Sequence, residues 1–340
     1  MGTPHRIVVI LGPTAGGKTD LAVAIARRFG GEILSADSMQ VYRRLDAGTA
    51  KPPAEQRAAA PHHLIDIVEP TDRFTVADWL ARAESLIGEL HGRGRLPIVV
   101  GGTNLYVKAL LEGMFEGPPA DEQFRKSLAA VPVHELHVRL AAVDPLAANR
   151  IDRNDRKRIT RALEVHKATG KPISALQSQW DQAEPSSSVS PLRYLHNPIL
   201  IGLRWSVEAI NGRINARVKQ MFHSAHARED LISETRRLDA AGLLGPQARE
   251  AIGTKQVLEQ LVGKYDADEA MERVKIETRR FAKAQRTWLK RYRGVHWLDA
   301  KGLTPNALFE QAISILTNEL GAPANSKCLQ DNILEYLLDK

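Results

Sequence analysis

The chain has 340 residues, 43% hydrophobic and 26% charged, the composition of a globular protein with one large domain or two smaller ones. A single cysteine, Cys328, excludes an intramolecular disulfide and a cysteine-rich zinc site, and no stretch approaches the roughly 18 apolar residues of a membrane span. The net charge of +7 hints at a polyanionic partner. Pro4 and His5 ahead of a short strand do not read as a signal peptide, so a cytoplasmic protein is expected.

An apolar run, Ile7 to Leu11, reads as a buried strand. It is followed at once by Gly12, Pro13, Thr14, Ala15, Gly16, Gly17, Lys18 and Thr19. This is G-x-x-x-x-G-K-[ST], the phosphate-binding turn between a strand and a helix. Its glycines let backbone N–H groups close around a phosphate, and the following helix adds its positive N-terminal end. Lys18 brings a point charge, and Thr19 a hydroxyl suited to Mg2+. Leu21, Ala22, Ile25, Ala26 and Phe29 then recur at helical spacing, and Gly30-Gly31 stops that helix.

Residues 32–36 look like a second strand ending on Asp37. A carboxylate there sits where open α/β sheets place ligands, but Asp is also a favoured helix N-cap. Pro61 to Ile67 reads as a brief strand. Its adjacent His62 and His63 lack partners at metal-ligand spacing. Residues 75–90 form an amphipathic helix with Thr75 as N-cap. Leu96 to Val100 is another buried strand, running into Gly101-Gly102-Thr103. Parallel strands put such turns on one edge, so Thr103 is expected to face the same ligand as Lys18 and Asp37, unless the turn is purely structural. This strand lacks the terminal Asp that many ATPases use for magnesium, which argues for a small kinase-like transferase.

From 121 to 180 the pattern is helical. Arg150, Arg153, Arg156, Lys157, Arg158 and Arg161 crowd this region. They form either a solvated helix face or a phosphodiester-binding surface. Ile199 to Leu203 resumes the strand pattern. The α/β core is therefore expected in two segments, residues 1–115 and residues 191–300. Between them lies a helical insertion over 116–190, and a helical tail follows over 301–340. Ser206 should cap a helix carrying Arg213 and Arg217 on one face. Residues 223–250 read as helical with a turn at Gly242 to Pro246. A long basic helix over 267–292 is expected to turn Met271, Val274, Phe281, Trp288 and Tyr292 inward. Trp297-Leu298 reads as a last strand.

Six ordered motifs carry a resemblance. They are GPTAGGKT at 12–19, Asp37 to Tyr42 (DSMQVY), Gly48 to Pro52 (GTAKP), Pro61 to Asp66 (PHHLID), Val100 to Thr103 (VGGT), and Asn154-Asp155 through Arg161-Ala162-Leu163-Glu164. Over roughly residues 6–298 the chain resembles the bacterial tRNA dimethylallyltransferases. The resemblance implies a phosphate-loop, kinase-like α/β core with an all-helical insertion. It implies transfer of a dimethylallyl group from dimethylallyl diphosphate to N6 of adenosine 37 of tRNA, beside the anticodon, with Mg2+. Lys18 and Arg217 would hold the diphosphate with residues 12–19, and Thr19 the magnesium. Asp37 would be the general base, and Thr103 would contact the bridging oxygen. Asp37, Ser38, Met39, Gln40 and Thr103, together with Arg125, Lys157, Arg158, Ile159, Thr160 and Arg161, would contact the tRNA anticodon stem-loop. The enzyme would be a monomer away from any membrane. Lys157, Thr254 and Ala284 depart from the family pattern, which usually has Gln, an aromatic and Arg at those places. A small-molecule or nucleotide kinase on the same core is the alternative, but it leaves the basic stretches unexplained.

Overall fold

The computed structural model describes residues 6–115, 117–177, 194–223 and 229–321. The chain forms two compact units, residues 112–193 and the remainder.

The larger unit is built on six parallel strands: β1 (Val8–Leu11), β2 (Gly31–Ser35), β3 (His62–His63), β4 (Leu96–Val100), β5 (Ile199–Arg204) and β6 (Val295–Asp299). Their order is β3-β2-β4-β1-β5-β6, so β1 lies between β4 and β5. Side chains on a strand alternate between faces. Val9 and Leu11 enter a core group with Trp79, Ile87 and Leu90 of the helix Val76–Gly92. Val8 and Ile10 face the other way, onto Leu21 and Ile25 of the helix Lys18–Phe29. Because both faces are covered, the central strands read as continuous apolar runs. Thr75 caps the Val76–Gly92 helix through a reciprocal bond pair with Asp78.

The carboxyl ends of the parallel strands share one edge. The phosphate loop leaves β1 there, Asp37 follows β2, and Gly101-Gly102-Thr103 follows β4. Ala36 N–H donates to Val100 O at 2.8 Å, and Thr103 N–H to Ala36 O at 3.0 Å. At Gly101 a Cβ would sit 2.2 Å from Ala36 O, so only glycine lets the two strand ends meet this closely.

Several elements differ from their sequence reading. The strand expected over 61–67 is two residues long. Leu64 and Asp66 have φ of 63° and 57°, which turns the chain off the sheet. Asp66 is then held by Lys51 and by both terminal nitrogens of Arg57, each 2.9 Å away. Of residues 223–250, Leu231–Ala240 is helical and Ala248–Glu250 is a single 3-10 turn, while 224–228 lie outside the described residues. The long helix spans Ala267–Leu289 and buries Ala270, Val274, Lys275, Ala282, Gln285 and Leu289. Phe281 is exposed, against expectation. Val274 and Tyr292 are buried as expected, and the alanines Ala270 and Ala282 share the inner face.

Some of the 301–340 tail belongs to the core. The helix Pro305–Leu320 buries Phe309, Ala312 and Leu316 in the core group formed by the Lys18–Phe29 helix. Cys328 lies outside the described residues. Among the described residues no helix is long and apolar enough to cross a membrane.

The smaller unit is helical: Glu122–Ala129, Val133–Val143, Pro145–Arg150, Arg156–Thr169 and Ile173–Leu176. Its core gathers Leu128, Leu136, Leu140, Ile159, Ala162 and Val165. Asp155 caps the Arg156–Thr169 helix, and Gly170 ends it with φ of 68°.

Phe309 is 4% exposed against the helix that carries the phosphate loop. Phe309→Ala should lower the unfolding free energy by about 3 kcal/mol, the lower end for a buried aromatic. Urea titration followed by circular dichroism checks this; a loss under about 1 kcal/mol would mean the tail is not integral to the core.

Candidate active site

The phosphate loop is braced through its carbonyls. Lys18 Nζ donates to Pro13 O at 2.8 Å. Arg213 Nε donates to Ala15 O at 2.7 Å, and Trp205 Nε1 to Gly16 O at 3.1 Å. These contacts hold three of the loop's carbonyls, while the N–H groups of Thr14 and Gly16 are taken by Gln285 Oε1 and Pro13 O. Ala15 and Gly17, with φ of 59° and 82°, take the left-handed conformation.

Lys18 is buried, 8% exposed, and Arg217 is partly buried with Nη1 on Thr14 Oγ1 at 3.0 Å. Among the described residues neither has an ion-pair partner. Burial first, and the Arg217 charge second, bring the Lys18 ammonium down to about 7, against the opposing pull of Asp37. Burial likewise lowers the Arg217 value, and Asp37 again opposes. Two desolvated cations on neutral oxygens form a site prepared for a multivalent anion.

Asp37 caps no regular helix. Its Oδ1 accepts from Met39 N at 2.9 Å and Gln40 N at 3.3 Å, which folds the chain into a turn. Oδ2 is placed beside Gly102. The Thr103 hydroxyl accepts from Ser38 N at 2.9 Å and donates to Ser38 Oγ at 3.2 Å. Gln40 is committed as well: its Oε1 accepts from Ser35 Oγ, and its Nε2 lies 3.3 Å from the carbonyls of Thr49 and Ala50.

Loop, strand ends and helices enclose a cavity of about 510 Å³. Thr14, Ala15, Gly16, Gly17, Lys18 and Thr19 line one side, with Asp37, Gln40, Gly101 and Gly102 opposite. Arg213, Arg217 and Phe281 come from the distant helices Val207–Phe222 and Ala267–Leu289. Among the described residues there is no group of three His, Cys, Asp or Glu that could hold a metal. Mg2+ would therefore rest on the Thr19 hydroxyl, water and the ligand's own phosphate oxygens, the arrangement magnesium commonly takes with phosphorylated substrates.

Two braces escaped the sequence reading. Gln285, 1% exposed, accepts from Thr14 N at 2.7 Å and donates to Gly102 O at 2.9 Å. One side chain thus joins the phosphate loop to the turn after β4. The available signal was a polar residue on the stripe Ala282–Gln285–Leu289. Glu234, 2% exposed, accepts from the backbone of Asp46, Ala47 and Gly48 at 2.7, 2.8 and 3.3 Å. That fixes the cavity wall carrying Asp46 and Ala47.

In the helical unit the expected RNA-facing residues divide. Lys157 and Arg158 are exposed, and Arg158 pairs loosely with Asp155 at 3.2 Å. Arg125 and Arg161 both bind the buried Glu164, at 2.8 and 2.5 Å, while Thr160 is half-buried. Ile159 is core.

Fold and site together define a phosphate-loop α/β protein whose cavity pairs an anion cradle with a carboxylate. A family described as IPP transferase matches residues 40–292, and one described as isopentenyl transferase matches residues 5–61. The tRNA dimethylallyltransferase of Geobacillus kaustophilus is 42% identical over 300 residues, 87% of this chain and 90% of that protein. That of Anaeromyxobacter dehalogenans is 44% identical over 307 residues, 89% and 97% of the two. The crystal structure of the full-length tRNA isopentenylpyrophosphate transferase of Bacillus halodurans superposes with a TM-score of 0.68 at 37% identity, covering 93% of this chain and 97% of that one. A eukaryotic dimethylallyltransferase acting on tRNA gives 0.76 at 25% identity, covering 98% and 84%. The chain belongs to the IPP transferase family.

Gln285→Leu removes both bridging bonds at similar volume. It should weaken binding of inorganic diphosphate roughly 10-fold or more, since a stranded buried polar group costs about 1–3 kcal/mol. Calorimetric titration measures the change. Unaltered affinity would show that the loop holds its shape without this brace.

Proposed function

We propose that this protein transfers the dimethylallyl group of dimethylallyl diphosphate to N6 of adenosine at tRNA position 37, giving N6-dimethylallyladenosine and diphosphate. The observation that carries this reading is the pairing, in one cavity, of two uncompensated cations at a phosphate loop with the carboxylate of Asp37. The names of the relatives support it, and they lend no support to a kinase on the same core.

Adenine N6 is a poor nucleophile because its lone pair is delocalised into the ring. As the N6–C bond forms, a proton must leave, and Asp37 Oδ2 is the acceptor at hand. Oδ1 is already occupied by the Met39 and Gln40 amides, which fix the carboxylate's direction. The allylic C–O bond breaks with its electrons passing to the diphosphate. Lys18, Arg217 and the loop amides stabilise the charge that gathers there. Mg2+ on Thr19 would neutralise some of the same charge. The Thr103 hydroxyl proton now goes to Ser38 Oγ. Turning it to the bridging oxygen would give up that bond alone, because the Ser38 N–H uses a lone pair.

An adenine inside an anticodon loop has to be turned out to enter the cavity. We assign tRNA contact to the segment Asp37, Ser38, Met39 and Gln40 and, in the helical unit, chiefly to the exposed Lys157 and Arg158. Arg125 and Arg161 act there through Glu164, which sets their direction. The enzyme works as a cytoplasmic monomer. Nucleoside analysis of tRNA incubated with the protein and dimethylallyl diphosphate tests the reading; no N6-dimethylallyladenosine would refute it.

Asp37→Asn keeps an Oδ1 for the Met39 and Gln40 amides, so thermal stability should hold. Turnover should fall roughly 100- to 10,000-fold through loss of the proton acceptor. An active, stable Asn variant would remove Asp37 from the chemistry. Lys18→Ala should abolish transfer while tRNA affinity, read by filter binding, changes little; a parallel loss of both would contradict this division of labour.

A further inference from the structure

We propose that Arg213 is a further diphosphate-binding residue, one that takes the distal phosphate of the allylic substrate and so separates diphosphates from monophosphates. The inference rests on the reading of the cavity as an allylic diphosphate site.

Arg213 precedes Arg217 by four residues on the helix Val207–Phe222, so both side chains leave the same face. Arg217 runs inward to Thr14, whereas Arg213 stands exposed at the rim of the same cavity. Two contacts orient it. Its Nε donates to Ala15 O at 2.7 Å, and its Cζ lies 4.9 Å from the ring centroid of Trp205. Trp205 is itself fixed by its bond to Gly16 O. These contacts use one nitrogen and one face of the guanidinium. The outer fork, Nη1 and Nη2 with four N–H donors, is left for an acceptor, and among the described residues no carboxylate pairs with it.

The fork is aimed at the mouth of the phosphate loop. Nη2 is 3.9 Å from where a Cβ on Gly17 would lie. Gly17 is the residue that opens the helix Lys18–Phe29, whose N-terminal end favours anions. A stacked guanidinium with two terminal nitrogens open is the geometry that grips phosphate oxygens bidentately.

Depth assigns the phosphate. Lys18 is buried and, like Arg217, is close enough to Asp37 to feel its charge. The phosphate that carries the prenyl group has to lie there, because its carbon must meet an adenine held at Asp37. The second phosphate then extends toward the rim, where Arg213 waits. A purely structural Arg213, needed to hold the loop carbonyl and cover Trp205, would serve both phosphates alike.

The test is calorimetric titration of the full chain, with Mg2+, using inorganic diphosphate and inorganic phosphate in turn. Wild type, Arg213→Ala and Arg213→Lys are compared, with steady-state kinetics on tRNA alongside. Arg213→Ala should weaken diphosphate roughly 10- to 100-fold, the range for losing charge-assisted hydrogen bonds, and raise the KM for dimethylallyl diphosphate similarly. Phosphate affinity should fall far less than diphosphate affinity, by no more than the loss of the Ala15 brace, and the thermal midpoint should hardly move. Arg213→Lys should recover only a fraction of the loss, because an ammonium neither stacks on Trp205 nor forks. Equal loss for phosphate and diphosphate would return Arg213 to a structural role, and unchanged diphosphate affinity in either variant would overturn the proposal. If wild type binds neither diphosphate nor dimethylallyl diphosphate, the reading of the cavity fails first, a separate result. Should Arg213→Ala not fold, the lysine variant decides, and wild-type diphosphate affinity there sinks the idea.

Discussion

Buried positive charge without a counter-ion is the constraint on which the site depends. Lys18 and Arg217 rest on a carbonyl and a hydroxyl, which solvate them poorly compared with water. The cost is borne by a sheet whose central strands are almost wholly excluded from solvent on both faces. An anion placed between them would relieve that cost.

Holding two like charges together requires bracing, and the braces come from far along the chain. Trp205 and Arg213 hold loop carbonyls from beyond β5. Gln285 reaches from the helix Ala267–Leu289 to join the loop to the turn after β4. Glu234 fastens three consecutive amides of the opposite wall. Burial pushes the Glu234 carboxyl upward, while the amides of Ala47, Asp46 and Gly48 pull the other way. The geometry of the site is thus a property of the tertiary structure, carried by hydrogen bonds from side chains to loop and wall backbone more than by ion pairs. In such a low-dielectric setting each of those bonds is costly to leave unmade.

The helical unit shows the same economy of position. Arg125 and Arg161 look alike in sequence to Lys157 and Arg158, yet both are anchored on Glu164 inside the unit. Lys157 and Arg158 stand outward, free of the core. Composition counts all of these cations equally; packing separates those oriented by a buried carboxylate from those that stand without one.

By itself the sequence determined the elements whose cause is local. The apolar runs of β1, β4 and β5, the phosphate loop, the Thr75 cap and the Gly170 stop were each legible, because period, turn chemistry and capping act within a few residues. Motif and resemblance also singled out Lys18, Asp37 and Arg217, and all three line one cavity. Tertiary structure alone decided that Phe281 of the helix Ala267–Leu289 stays exposed while Ala282 and Gln285 are buried beside the expected Val274. It alone ended the 61–67 strand after two residues, through the left-handed turns at Leu64 and Asp66 and the ion pairs from Lys51 and Arg57. It alone brought Glu234 and Gln285 to a site up to 271 residues away. Hydrogen bonds at that separation leave no periodicity behind: their partners are chosen by where the sheet and helices come to rest.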